Sequence, residues 1–125
     1  MKNIILSVSL IVLIFITVAV LSACLGNTLL YFENEVKGYD IKENSDFTRL
    51  KTDFTLYYRS FRDKISFLSV LMPDDILSEI EGGYLDIISY AAAENYEGAL
   101  ASRARLGNNL ENARKLTTVG LMSVF

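Results

Sequence analysis

The sequence predicts an all-α protein, with an N-terminal transmembrane or signal helix followed by an antiparallel three-helix bundle. Three observations carry that expectation. Residues 4–23 contain no charged side chain. Beyond residue 45, apolar side chains recur at spacings of three and four, the signature of one helical face. The chain also has one proline, no histidine and no tryptophan, and few alternating β-branched runs, which favours helix over sheet.

The apolar run comes first. At 1.5 Å per residue, residues 4–23 reach about 30 Å as a helix, the thickness of a bilayer's hydrocarbon core. A buried helix of a 125-residue protein is seldom apolar on every side over such a length, so lipid is the better solvent for it. Lys2 and the amino terminus precede the run, whereas Glu33 and Glu35 follow it and the next basic residue is Lys37. Positive charge stays on the cytoplasmic side, so a short N-terminus is expected in the cytoplasm and the body outside the cytoplasmic membrane. The run ends in Leu21-Ser22-Ala23-Cys24, which resembles a bacterial lipobox, where small residues precede a cysteine that is lipidated and becomes the new terminus. Cys24 is the only cysteine. It can make no intramolecular disulfide, and its place at the membrane edge suits acylation. Signal-peptide apolar regions run about 7 to 15 residues, shorter than this one, so an uncleaved anchor leads, with a lipidated Cys24 as its rival and plain secretion behind both.

Residues 1–26 are thus expected as the membrane anchor or lipoprotein signal segment and 27–44 as a spacer, a helical continuation that breaks near Gly38-Tyr39-Asp40. Residues 45–125 are left as an extracytoplasmic helical bundle. From Ser45, a suitable N-cap, Phe47, Leu50, Phe54, Tyr57, Phe61, Ile65, Leu68 and Met72 trace one face of a first helix. Pro73 stops it, and Asp74 and Asp75 follow where a helix N-terminus favours negative charge. The second helix turns Ile76, Leu77, Ile80, Tyr84, Ile87, Ile88 and Ala91 inward and runs to about Ala93. Asn95 caps a third, whose stripe is Tyr96, Ala99, Leu100, Arg103, Leu106, Leu110, Ala113 and Leu116. Short connections force antiparallel neighbours, and the alanines at 91–93, 99, 101 and 104 permit close approach near the turn. Gly82 and Gly83 are expected to allow close packing or a kink, at about 1 kcal/mol each of helix propensity. No second copy at a 34-residue period points to a solenoid.

Several of these features occur together in one known family. The N-terminal span, the acidic opening Asp74-Asp75-Ile76, the hairpin between Tyr90 and Ala99, and the ending Gly120-Leu121-Met122-Ser123-Val124-Phe125 resemble the small bacterial family known as domain of unknown function 4363. Ser123 stands where that family tends to carry asparagine. The resemblance implies a membrane-attached helical protein of Gram-positive, often spore-forming bacteria, and it implies no activity.

Chemistry is constrained mostly by exclusion. Beyond Cys24 lie 11 of the 12 basic side chains and all 15 acidic ones, a net charge near −4, so nucleic acid is a poor partner. Without histidine, and with the lone cysteine at the membrane, Ser-His or Cys-His nucleophiles and His/Cys zinc sites cannot be built. A narrow bundle offers no sugar-sized cleft for paired carboxylates, and Gly82-Gly83 sits in no phosphate-binding loop. An enzyme, a catalytic residue and a cofactor are therefore not expected. The stretch from Lys64 to Arg103 has no basic residue between its ends while Asp74, Asp75, Glu79, Glu81, Asp86, Glu94 and Glu97 fall inside it. This acidic helix is expected to lie between basic partners on its neighbours; its functional alternative is binding of a cation or a basic ligand. No EF-hand loop supports a calcium site. Finally, Leu56, Phe67 and Val70 project away from the main face of their helix, and Leu121, Met122, Val124 and Phe125 make an apolar ending. Cover within the chain, by residues 29–41 or by the C-terminal tail, is one expectation. The other makes Leu56, Phe67, Val70, Leu121 and Phe125 a contact surface for a membrane or cell-envelope protein.

Overall fold

The computed structural model describes residues 1–41, 46–70 and 72–124, with side chains 118–124 left aside. It contains four helices, α1 (Lys2–Lys37), α2 (Phe47–Leu68), α3 (Asp74–Ala92) and α4 (Tyr96–Val124), and no strand among the described residues. The all-α expectation therefore holds.

Helix α1 has 36 residues and so runs about 54 Å. Its two parts have opposite surroundings. Ile4, Leu10 and Val20 are among a long series of exposed apolar residues, whereas Leu25, Leu29, Phe32 and Val36 are buried in the main core. Those four recur at spacings of four, three and four, one stripe of an amphipathic helix. Lys37 stands in the last turn, where a cation suits the helix dipole, and the Gly38 amide closes the end by donating to the Asn34 carbonyl at 2.8 Å. The break expected at Gly38 is thus where α1 stops.

Helix α2 starts from Asp46, whose backbone is extended and whose Oδ1 accepts the Thr48 and Arg49 amides at 3.0 and 3.4 Å. This is an ordinary N-cap, one residue later than expected; Ser45 lies outside the described residues. Its face buries Leu50, Phe54, Phe61 and Leu68, with Met72 just beyond. Pro73 in extended conformation precedes α3, and Asp74 and Asp75 occupy its first turn, as expected. Leu77, Ile80, Tyr84, Ile87 and Ala91 point inward. At the end of α3, Glu94 adopts φ 56° while the Asn95 amide reaches the Tyr90 carbonyl at 2.9 Å and the Glu94 amide reaches Ala91 at 3.1 Å. That pair of bonds is a Schellman closure, normally built on glycine. Asn95 Oδ1 then accepts the Gly98 amide at 2.9 Å and caps α4.

Every pair of packed helices is antiparallel. Phe61 meets Tyr84 across α2 and α3 with ring centroids 5.4 Å apart. A Cβ added at Gly83 on α3 would lie 2.9 Å from Leu106 Cδ1 on α4. Gly26, Lys37 and Tyr39 face Thr117, Gly107 and Arg103 in turn along α1 and α4. Helices α1 and α2 meet more lightly, through Phe32 with Phe61 at 5.8 Å, and Tyr39 just beyond α1 meets Phe54 at 5.0 Å. The order around the bundle is α1, α4, α3, α2.

This arrangement corrects the domain expectation. The bundle has four members rather than three, because residues expected as a spacer, 27–44, supply the last turns of α1 and three of its buried side chains, Leu29, Phe32 and Val36. The boundary placed at residue 26 falls inside one continuous helix. Burying a Leu, Phe or Val stabilises by roughly 1.5–3 kcal/mol before entropic costs, so four such residues hold α1 to the bundle far more strongly than one ion pair could.

Candidate functional site

No catalytic group is expected from the sequence, and the candidate regions are the junction between the apolar helix and the bundle, the acidic helix, and the apolar surface residues.

At the junction, Glu33 is buried on α1 beneath α4. Arg114 Nε donates to Glu33 Oε2 at 2.7 Å and Lys37 Nζ donates to Oε1 at 3.1 Å, with Lys37 also reaching Glu111 Oε2 at 3.1 Å. The Arg114 guanidinium, helped by the Lys37 ammonium, holds the Glu33 carboxyl below the usual glutamate range. Glu35, on a neighbouring face, moves the other way because burial disfavours its charge, and its Oε1 has no hydrogen-bond partner. Further along, the Arg103 guanidinium donates to the Tyr39 carbonyl beyond the end of α1. Gly107 leaves room for the Lys37 chain, whose Cγ would stand 3.1 Å from an added Cβ. The one polar interruption of the α4 stripe, Arg103, is thereby explained, as is the α4 basic end: both serve α1.

The acidic helix has fewer partners than expected. Glu81 accepts from Arg62 Nη1 at 3.3 Å and from the Tyr58 hydroxyl at 2.9 Å. Among the described residues it is the one α3 carboxylate in an ion pair, so the expectation that α3 lies between two rows of basic partners is corrected. The physical reason is the fourth helix, since α1 rather than α3 takes Arg114 and Arg103. No group of three carboxylates, cysteines or histidines able to hold a metal occurs among the described residues. Asp46 and Asp53 line an open groove with Tyr39 and Arg49, but Asp46 caps α2 and Asp53 accepts the Tyr39 hydroxyl at 2.6 Å.

The proposed contact residues do not form one patch. Leu56 is 52% exposed and Val70 59% exposed, yet they are separated by some 20 Å along the axis of α2. Phe67 is half-buried and packs against the core, so it leaves the set. Its place at the last turn of α2 is the reason: the chain reverses there, and an angular argument from a lone helix no longer describes its surroundings. The Leu121 side chain and Phe125 lie outside the described residues. Leu116, expected inward, is 50% exposed. Cys24 is exposed, one residue before the first buried leucine of the core.

The feature that sequence reasoning missed is the Glu33, Lys37, Glu111 and Arg114 cluster. Its signal was the stripe Leu25, Leu29, Phe32 and Val36, on whose edge Glu33 sits.

In class, then, the chain is a helical bundle whose first helix is long and apolar enough to cross a membrane. Comparison with protein-family models, curated proteins and solved structures returns no match.

Proposed function

We propose that this is a membrane-anchored protein of the cytoplasmic membrane whose helical body lies outside the cytoplasm and acts by protein–protein interaction, as an accessory subunit of a membrane or cell-envelope complex. One observation carries the reading: a single helix is apolar and uncovered over its first part and builds the bundle core over its second. Twelve large apolar side chains of this run are exposed; in water that would be strongly unfavourable, and lipid relieves the cost. Lys2 before the run and Glu33 after it favour the outward orientation. Lack of histidine argues against the usual nucleophile and metal chemistries, which leaves binding as the body's work. Leu56, exposed on α2 in the half away from the apolar run, is the described residue best placed to meet a protein partner.

Two attachments fit. An uncleaved α1 keeps the span; lipidation at Cys24 would remove residues 1–23 and leave Leu25 and the rest of the core intact. A lipoprotein that holds a cation or basic ligand on α3 is the second reading, favoured by Asp74, Asp75, Glu79 and Asp86 lacking ionic partners among the described residues.

Topology is tested by protease added to intact spheroplasts, with the membranes then extracted in alkaline carbonate. Cleavage of the body from outside and retention of the N-terminal fragment in the pellet are expected. A protected body, or full release by carbonate, would overturn the reading. The mass of the mature N-terminus separates the attachments, because lipidation requires a new terminus at Cys24.

A further inference from the structure

We propose that the end of the bundle nearest the apolar run is a lipid-contacting surface, seated in the outer headgroup and upper acyl region of the bilayer that α1 crosses. The proposal rests on the membrane-anchor reading and adds to it that the body touches the bilayer instead of standing clear.

Three stretches without Asp, Glu, Lys or Arg converge on this end. On α1, residues 3–32 contain none, and Glu33 is the first acid. On α4, none follows Lys115. Between α2 and α3, residues 65–73 contain none. These stretches are far apart in sequence, and the antiparallel packing brings them to one level. Arg114 and Thr117 share a groove with Ser22, Ala23, Gly26 and Leu30 of α1, so the uncharged end of α4 runs beside the end of the apolar run. Lys64 shares a groove with Asn27, Thr28 and Tyr31, so the uncharged connection after α2 descends past the same level. Helix α4 continues to Val124. With Gly26 facing Thr117, its last turns extend along α1 to about the position of Ala19, roughly 10 Å below Gly26.

Charge therefore stops near one level on three elements, and the exposed Asp74 and Asp75 that open α3 beside Ser69 mark its edge on the fourth. The final basic side chain of α4 to make a cross-helix bond, Arg114, pairs with the first acid of α1, Glu33, at 2.7 Å. Beneath that level Leu116 is 50% exposed and Val70 59% exposed, although neither belongs to the membrane-spanning helix. In water such residues would be a loss repeated at each site; at a lipid interface the same exposure is favourable, and charges confined above it avoid the cost of desolvation. The level cannot stand far from the bilayer, because α1 passes from apolar run to bundle without a break. Lipid is thus chosen over a soluble partner by position: any ligand at this end must share its space with the membrane surface.

The test uses the full chain with Cys24→Ser as background and single substitutions Ile14→Cys, Val70→Cys, Leu116→Cys and Leu85→Cys, all at exposed sites. Each carries an environment-sensitive fluorophore in phosphatidylcholine vesicles containing a lipid-borne nitroxide quencher. Labels at 14, 70 and 116 are expected to shift to the blue and be quenched, while the label at 85, toward the other end of the bundle, does neither. If 14 is quenched and 70 and 116 behave like 85, the body stands clear of lipid and the proposal fails while the anchor survives. If 14 is not quenched, the anchor itself fails. Labels at 70 and 116 that are blue-shifted, unquenched and show energy transfer between copies would assign this end to a second copy of the chain and overturn the lipid contact.

Discussion

Two adjacent glycines on α3 allow the helix packing to be tested against itself. An added Cβ at Gly82 meets nothing within 4 Å, whereas at Gly83 it lies 2.9 Å from Leu106 Cδ1 and 3.2 Å from Leu106 Cβ. Both substitutions to alanine gain helix propensity, about 0.8–1 kcal/mol each. At Gly82 that gain is unopposed, so Gly82→Ala should stabilise by about 1 kcal/mol. At Gly83 the new methyl presses on a side chain with no exposed surface, and overpacking of this kind costs about 1–3 kcal/mol. Gly83→Ala should then be neutral to about 2 kcal/mol destabilising, and the two variants should differ by about 1–3 kcal/mol. Thermal unfolding of the full chain in detergent micelles, followed by circular dichroism, resolves this, since 1 kcal/mol moves Tm by roughly 2–8 °C. Coincident Tm values, or a more stable Gly83 variant, would show that α3 and α4 do not approach as closely as the fold requires.

Two further outcomes follow from particular contacts. Glu33→Gln keeps the volume but removes the charge that Arg114 and Lys37 hold; since both partners retain access to water, the loss should be about 1–2 kcal/mol, below the 3–5 of a stranded buried charge. Because the Glu33 carboxyl is depressed in the folded state, its contribution is complete above the unfolded value of 4.5 and disappears as pH falls through the folded one. The parent should therefore lose more Tm than Glu33→Gln between neutral pH and pH below 4.5; parallel losses would refute the pairing. Phe67→Ser should destabilise by about 1–3 kcal/mol and Leu56→Ser by less than about 0.5, judged by denaturant midpoints, because Phe67 packs on the core and Leu56 faces solvent. Loss of native-membrane partner capture in Leu56→Ser at unchanged stability would support its contact role, and full retention would remove it.

How much could be read beforehand differs helix by helix. In α2 and α3 the apolar period and the two aspartates agree, so the buried faces and the start of α3 were legible, whereas α2 ends at Leu68 with Ser69 as its cap, short of the stop expected at Pro73. The cap of α4 was too, because Asn95 is a residue whose side chain bonds the backbone of a first turn. The second part of α1 was obscured for a definite reason: a uniformly apolar helix has no face, and the stripe from Leu25 to Val36 begins before that uniform run has faded. Glu33 compounded this, since a buried carboxylate breaks the polar-outside pattern and makes sense only once Arg114, 81 residues away, is known to cover it. The α4 stripe misled at Leu116 because α4 outruns α3 at the end near the apolar run. Among the alanines near the α3–α4 turn, Ala91 and Ala99 are buried while Ala92, Ala93, Ala101 and Ala104 are exposed: small size permits close approach, and only helix phase decides which residues use it.

The absence of a joint between the apolar run and the bundle makes the body a lever. A tethered domain samples many orientations independently of its anchor, but here the stretch of α1 from Ala23 to Lys37 is a rod about 20 Å long fixed to both. A tilt of 20°, ordinary for a helix in a bilayer, would carry the far end of the bundle sideways by about 7 Å. Rotation of α1 about its own axis would turn Leu56 toward or away from a neighbour by the same angle. Under the membrane-anchor proposal, a change in bilayer thickness would thus be felt at the far end of the bundle as displacement, and a force applied there would return along the same helix.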